Sequence, residues 1–269
     1  RNLDANLELA IKGSANFQGL KNLLNKLQIV LVADHGSHDV ETSGNLEDYL
    51  RYQDINLCVN GKPSKEMDIV LLTGASAVQL FAKSKNGTFK EHLTEDALRN
   101  FQCTSGRKID LIEEILKYPN TGNIYVRAKN GVKVISRKGS SFFQIFRDNT
   151  ISYKIEDGHD PLEYEYHFPV HRRVYSAEEF FQLSVDLKYP FIPFLIDPHF
   201  GTHSTAPDMI INSGEKSSLW SKFIGEHETD TFYDMVVPFM MHAPNIKVGE
   251  IEPCLITDVL GLISTELRV

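Results

Sequence analysis

Residues 28–36 read QIVLVADHG, an apolar run that ends abruptly in Asp34, His35 and Gly36. A continuous run of isoleucine, valine and leucine bounded by a breaker is typical of a strand covered on both faces, as in a parallel sheet. Ligands of such sheets bind at the carboxyl ends of the strands, where Asp34 and His35 are expected. Together they offer an oxygen and a nitrogen donor to one cation, and Gly36 lets the backbone turn away. The same residues also fit a strand followed by a simple turn.

The composition is that of an ordinary globular protein. Of the 269 residues, 42% are hydrophobic and 24% are charged, which suffices for one large core with an insertion. The net charge of -8 argues against affinity for extended nucleic acid, because backbone phosphates attract clustered lysine and arginine. No apolar run approaches the roughly 20 residues that cross a bilayer. We expect a soluble chain without a transmembrane segment; no compartment is assigned, and a secreted or periplasmic location is compatible with it.

Segments with helical periodicity alternate with apolar runs of strand length. Ser176, which precedes two glutamates and an apolar pair, predicts the N-cap of one further helix. The predicted helices are residues 3–26, 91–101, 107–117 and 255–262. The predicted strands outside the opening run are residues 53–59, 67–72, 77–81, 207–213 and 235–244.

Residues 123–156 have a different texture, of short segments that alternate between apolar and polar residues. Turns rich in glycine and asparagine, such as residues 129–131, separate the segments, and this pattern predicts an antiparallel meander. Because the sequence on either side has the pattern of alternating helices and strands, we interpret the meander as an inserted subdomain. The predicted division is an α/β core from residues 1–118 and 166–269, with the insertion at residues 119–165.

Other polar side chains near these motifs have the chemistry of metal ligands. His38, Asp39 and Glu41 follow the opening run closely. We interpret all three as solvent-facing, because a metal site uses fewer ligands than the candidates available. His159 follows the meander and is interpreted as a loop residue.

Several motifs, in this order, resemble one family. They are VADHG at residues 32–36, GEH at residues 225–227, MVVP at residues 235–238 and DVLGL at residues 258–262. The chain is similar to the type I phosphodiesterase and nucleotide pyrophosphatase branch of the alkaline phosphatase superfamily. The resemblance implies an alkaline-phosphatase-like fold, in which helices flank a mostly parallel sheet, and the meander looks like the insertion of bacterial members.

The resemblance also implies a binuclear zinc site. In this family a strand ending in Asp-His-Gly supplies two ligands of one zinc ion, and a later Gly-x-His supplies one ligand of a second. Asp34 and His35 would therefore bind one zinc and His227 the other. His203 also follows a Gly-x pair and competes for this role, but the layout of the downstream segment favours His227.

The function implied by the resemblance is hydrolysis of a small phosphodiester, either a nucleotide or a phospholipid headgroup. The family's Thr or Ser nucleophile and its remaining metal ligands have no counterpart, so no catalytic residue is assigned to this chain. Three ligands cannot fill two tetrahedral zinc sites. We therefore expect the N-terminal part of the fold to be missing and to complete the site as a further segment of the same protein. Two alternatives stay open: an inactive pseudoenzyme that acts as a binding module, and another hydrolase of the superfamily.

Overall fold

A computed structural model divides the chain into two compact units. The first consists of Arg1–Asp34 and Val237–Val269, and the second of His35–Val236. The predicted helices at residues 3–26 and 255–262 and the candidate ligand His203 lie outside the described residues. The structure describes residues 29–74, 76–84, 87–170, 174–201, 205–220, 225–227, 229–242, 249, 253–255 and 257.

The opening apolar run forms a strand of the first unit. Strand β1 (Ile29–Val32) pairs antiparallel with β15 (Phe239–His242). β1 is only partly buried, and Val32 is 43% exposed. The prediction of a strand buried in a parallel sheet is therefore wrong for the described residues. An apolar run predicts which strand faces avoid water, but it carries no information on the direction of the neighbouring strand, which here comes from the far end of the chain.

A nine-stranded mixed sheet is the framework of the second unit. The mixed α/β class is confirmed, but the prediction of a mostly parallel sheet is wrong, because β3 and β4 are the one parallel pair described in it. The strands, in spatial order, are β12 (Tyr175–Ser176), β11 (Thr150–Gly158), β10 (Gly139–Ile145), β9 (Gly131–Ser136), β8 (Thr121–Ala128), β13 (Met209–Ser213), β5 (Ala77–Ala82), β4 (Ile69–Thr73) and β3 (Leu57–Val59).

Short connections explain the antiparallel pairing. Residues 129–130 join β8 to β9, and a two-residue turn can connect only antiparallel strands. The predicted meander is confirmed, with Arg127 opposite Val132 and consecutive pairing from β8 to β11. The predicted insertion, residues 119–165, contributes these four strands to the same sheet as β3, β4, β5 and β13.

Polar caps begin the main helices. Asn45, Thr94, Asp110 and Ser176 each accept a hydrogen bond from a backbone N–H three residues later, and the predicted cap at Ser176 is thereby confirmed. No described helix is long and apolar enough to cross a membrane. The helices are α1 (Leu46–Tyr52), α2 (Glu95–Arg99), α3 (Leu111–Lys117), α4 (Ala177–Ser184), α5 (Ile192–Ile196) and α6 (Phe232–Met235), with 3-10 turns at Tyr164–Tyr166 and Asp197–Phe200. Two short sheets pair β2 (His38–Asp39) with β14 (Gly225–Glu226), and β6 (Phe101–Gln102) with β7 (Lys108–Ile109).

Apolar residues of α1, α2 and α3 pack against one face of the nine-stranded sheet. Ile124 and Val126 of β8 enter this core, whereas Tyr125 between them is on the other face because successive strand residues alternate. An aromatic cluster around Phe180 of α4 forms a second buried region, which includes Tyr164. The buried hydroxyl of Tyr125 donates a hydrogen bond to Asp230, which lies in the loop before α6.

Candidate metal centre

The second unit brings His35 and His227 together, although they are far apart in the sequence. Their imidazole rings stack with centroids 4.1 Å apart and planes inclined by 21°. His35 is exposed and His227 is half-buried. Asp34 is exposed and ends the N-terminal segment of the first unit. Two of the three predicted zinc ligands therefore share one location within the second unit.

The short sheet formed by β2 and β14 explains this contact. Asp39 lies opposite Gly225, and His38 lies opposite Glu226. β2 begins three residues after His35, and β14 ends immediately before His227. The antiparallel pairing of these two strands therefore aligns the segments that carry the two histidines.

Gly36 allows a close approach of two backbone segments beside His35. Its N–H donates to the carbonyl oxygen of Asp234 at 2.9 Å. A Cβ atom at residue 36 would lie 1.8 Å from the carbonyl oxygen of Tyr233. The backbone of Gly36 is not in the left-handed region, so the glycine is required for space rather than for an unusual turn conformation.

A local hydrogen bond sets the tautomer of His35. The Nδ1 atom lies 2.8 Å from the carbonyl oxygen of Gly36. Because a carbonyl oxygen can only accept, Nδ1 must carry the proton, and Nε2 of the neutral ring then presents its lone pair. Histidines that bind metals commonly donate their second ring nitrogen to a carbonyl in this way.

The stacked arrangement directs the two imidazoles toward separate points. The lone pair of a ring nitrogen lies in the ring plane, and the planes of two nearly parallel rings with centroids 4.1 Å apart do not meet close to the rings, so the two imidazoles are not arranged to bind one common ion. Cations of binuclear hydrolytic sites are spaced by roughly 3.5–4 Å. The pair is therefore compatible with two neighbouring cations, each bound by one imidazole. Within the described part of the chain, no group of three or more His, Cys, Asp or Glu residues is arranged to hold one ion.

His38 is buried against Asp234, so its predicted exposure to solvent is wrong. Its side chain is 7% exposed, and Nδ1 lies 2.9 Å from Oδ2 of Asp234. Asp39 and Glu41 are exposed, as predicted. Asp234 was not identified from the sequence, because its position depends on a pairing between distant segments and no local motif marks it.

A second buried carboxyl, Asp230, joins the loop before α6 to the nine-stranded sheet. It accepts hydrogen bonds from the Nδ2 atom of Asn123 at 2.9 Å and from the Tyr125 hydroxyl. Burial raises the pKa of the Asp230 carboxyl above its usual range, although hydrogen bonds from Tyr125, Asn123 and Asn212 oppose this effect. The folded protein therefore favours the protonated form of Asp230 more than the unfolded chain does.

Asp230→Asn is expected to weaken the pH dependence of stability. The carboxyl contributes most to stability below its unfolded pKa of about 4, and this contribution is lost as the pH rises through the higher folded pKa. The amide of the variant does not titrate. Urea unfolding between pH 4 and 8 should therefore show a steeper decline in the free energy of unfolding for the wild type. Equal slopes in the two proteins would contradict the raised pKa.

Two cavities adjoin helix α6, which contains Asp234. Their volumes are about 320 and 380 Å³, and both are lined by Glu215, Thr231 and Tyr233. The larger one is also lined by His38. Volumes of this size accommodate small molecules. The second unit therefore offers space for a small ligand beside the His38–Asp234 pair.

The chain matches no protein-family model, no curated protein and no solved structure.

Proposed function

We propose that this chain is part of a metal-dependent hydrolase of phosphate esters, of the phosphodiesterase and nucleotide pyrophosphatase type. The stacked pair of His35 and His227 carries the proposal, because it brings two imidazole donors side by side in planes that do not converge on one ion, an arrangement compatible with two neighbouring cations. The order of the sequence motifs supports membership of the alkaline phosphatase superfamily.

In this proposal Asp34 and His35 bind one zinc ion and His227 binds the other. Imidazole nitrogen and carboxylate oxygen are common zinc donors, whereas magnesium prefers oxygen alone. The hydrogen bond from Nδ1 of His35 to the Gly36 carbonyl supports this role, since it leaves Nε2 unprotonated. The donor chemistry of the pair therefore fits zinc.

The proposed reaction is the hydrolysis of a small phosphodiester. Zinc held by these residues would supply Lewis-acid stabilisation of the charge that develops on the phosphoryl and leaving oxygens. The residues of this chain would hold and orient the site. By resemblance, the nucleophile is a Thr or Ser in an N-terminal segment of the same protein. A nucleotide and a phospholipid headgroup are the two substrate classes proposed.

Substitution of either stacked histidine is expected to weaken zinc binding. His35→Ala and His227→Ala each remove one imidazole donor, so each should lower the affinity for one zinc equivalent by at least about tenfold. Titration of the metal-free chain with zinc, in competition with a chromophoric chelator, measures this effect. His159→Ala is the matched control, because the His159 side chain is 71% exposed in the loop after β11.

Activity gives the second readout of the proposal. The full-length protein, with any segment that precedes Arg1, should hydrolyse a nitrophenyl phosphodiester, and either histidine substitution should abolish most of this activity.

Zinc affinities in both variants equal to that of His159→Ala would overturn the proposal. A wild-type chain that is folded but binds no zinc would instead favour a binding module.

A further inference from the structure

We infer that Asp234 is a positioning residue that sets the relative placement of His35 and His227. This inference rests on the proposed function, in which these two histidines hold neighbouring zinc ions. Asp234 is buried, with only 1% of its side chain exposed, and lies in the short helix α6. Its acceptor atoms bind two separate segments of the second unit, one beside each histidine.

The first segment follows His35 directly. The Gly36 N–H donates to the backbone carbonyl of Asp234 at 2.9 Å. The Nδ1 atom of His38 lies 3.0 Å from Oδ1 and 2.9 Å from Oδ2 of the same residue. Backbone and side chain of Asp234 therefore both hold the turn that determines where His35 lies.

The second segment follows His227. Thr229 donates to Oδ2 of Asp234 through both its backbone N–H and its hydroxyl, each at 2.7 Å. The Thr229 hydroxyl also lies 2.8 Å from the hydroxyl of Thr231. Because Thr229 is two residues beyond His227, these bonds restrict the backbone that carries the second histidine.

The chemistry of this carboxylate explains why another side chain cannot replace it. Oδ2 accepts from both segments at once, and Oδ1 accepts from His38. All the groups that bond to the Asp234 side chain are N–H or O–H donors, and both oxygens of a carboxylate are acceptors. An asparagine at residue 234 is expected to keep its amide oxygen at the Oδ2 position, where Thr229 donates twice, and to place its NH2 group at the Oδ1 position, 3.0 Å from Nδ1 of His38. Two donors would then face each other, and this contact favours a His38 tautomer with its proton on Nε2.

Asp234→Asn is expected to alter both histidines in the absence of metal. Nitrogen-15 NMR of the histidine rings in the metal-free chain should show that the His38 proton has left Nδ1. The ring resonances of His35 and His227 should shift as well, because one of the side-chain bonds that join their segments is lost. Zinc affinity should fall by roughly tenfold, the effect usual for residues that orient metal ligands.

Asp160→Asn is the matched control. Asp160 is also a buried carboxyl that accepts a hydroxyl and two backbone N–H groups, from Tyr153, Leu162 and Tyr164, but it follows the meander. This variant should leave the His35 and His227 resonances and the zinc affinity unchanged. Equal shifts in both variants would indicate general loosening of the fold and would overturn the inference.

Substitutions of Thr229 test the same inference if Asp234→Asn fails to fold. Thr229→Val removes the hydroxyl donor with little change of shape and should shift the His227 resonances. Thr229→Ser keeps the hydroxyl and should restore them. Unchanged His35 and His227 resonances in a variant that has lost its bond to residue 234 would disprove the positioning role. A wild-type chain that binds no zinc would refute the proposed function alone, since the metal-free NMR comparison still decides the role of Asp234.

Discussion

Gly36→Ala is expected to disable the site and to destabilise the second unit. The added Cβ would lie 1.8 Å from the Tyr233 carbonyl oxygen and 3.2 Å from the Cα atom of Asp234, and these backbone atoms cannot rotate away. The chain must therefore shift by more than about 1 Å beside His35, a displacement that can cost roughly 100-fold in catalysis. Overpacking of this kind costs about 1–3 kcal/mol of stability.

The measurements are kcat/KM of the full-length protein with a nitrophenyl phosphodiester, zinc affinity of the chain, and urea unfolding. Gly225→Ala is the matched control, because a Cβ there would meet its nearest atom, the carbonyl oxygen of His38, at 3.9 Å. Both glycines belong to the segments that bring the histidines together. A Gly36→Ala protein with the activity and stability of Gly225→Ala would show that the close approach at residue 36 has no consequence.

Asp208→Ala is expected to lower the free energy of unfolding by about 3–5 kcal/mol, because two buried backbone donors lose their acceptor. Asp208 is 2% exposed. Its Oδ2 accepts from the Ala82 N–H at 2.7 Å, and its Oδ1 accepts from the Leu93 N–H at 2.9 Å. The residue therefore joins the end of β5 to the loop before α2, next to the start of β13.

Urea unfolding at neutral pH measures this loss. Asp208→Asn keeps one acceptor and should lose less stability than the alanine variant. Asp148→Ala is the surface control, since Asp148 also accepts a backbone N–H and a hydroxyl, both from Thr150, but is exposed. Its effect should stay below about 1 kcal/mol. Similar losses for Asp208→Ala and Asp148→Ala would contradict the role assigned to the buried carboxyl.

Features that depend on a few neighbouring residues were predicted correctly from the sequence. The cap at Ser176 requires only a hydroxyl and an N–H three residues later. The meander requires only alternating segments and tight turns, such as that between β8 and β9. The helices predicted at residues 91–101 and 107–117 are shorter in the structure, at Glu95–Arg99 and Leu111–Lys117, because their caps, Thr94 and Asp110, lie inside the predicted ranges.

The errors concern partners that are distant in the sequence. The run at residues 29–32 has the composition of a buried parallel strand, yet its described partner is the antiparallel strand β15. His38 follows a polar turn and has the pattern of a surface residue, yet the Asp234 carboxylate buries it. In both cases the partner lies in a segment that is distant in the sequence. Local periodicity does not predict which distant segments come into contact.

The sequence by itself determined the chemical types of the candidate donors, Asp34, His35 and His227, and the local helices and turns around them. Only the tertiary structure decided that the rings of His35 and His227 stack. It also decided that the backbone of Tyr233 lies too close to residue 36 for any side chain. The physical reason is the range of the interactions involved. Capping and turn formation act over a few residues, whereas the pairing of β2 with β14 joins segments separated by most of the second unit.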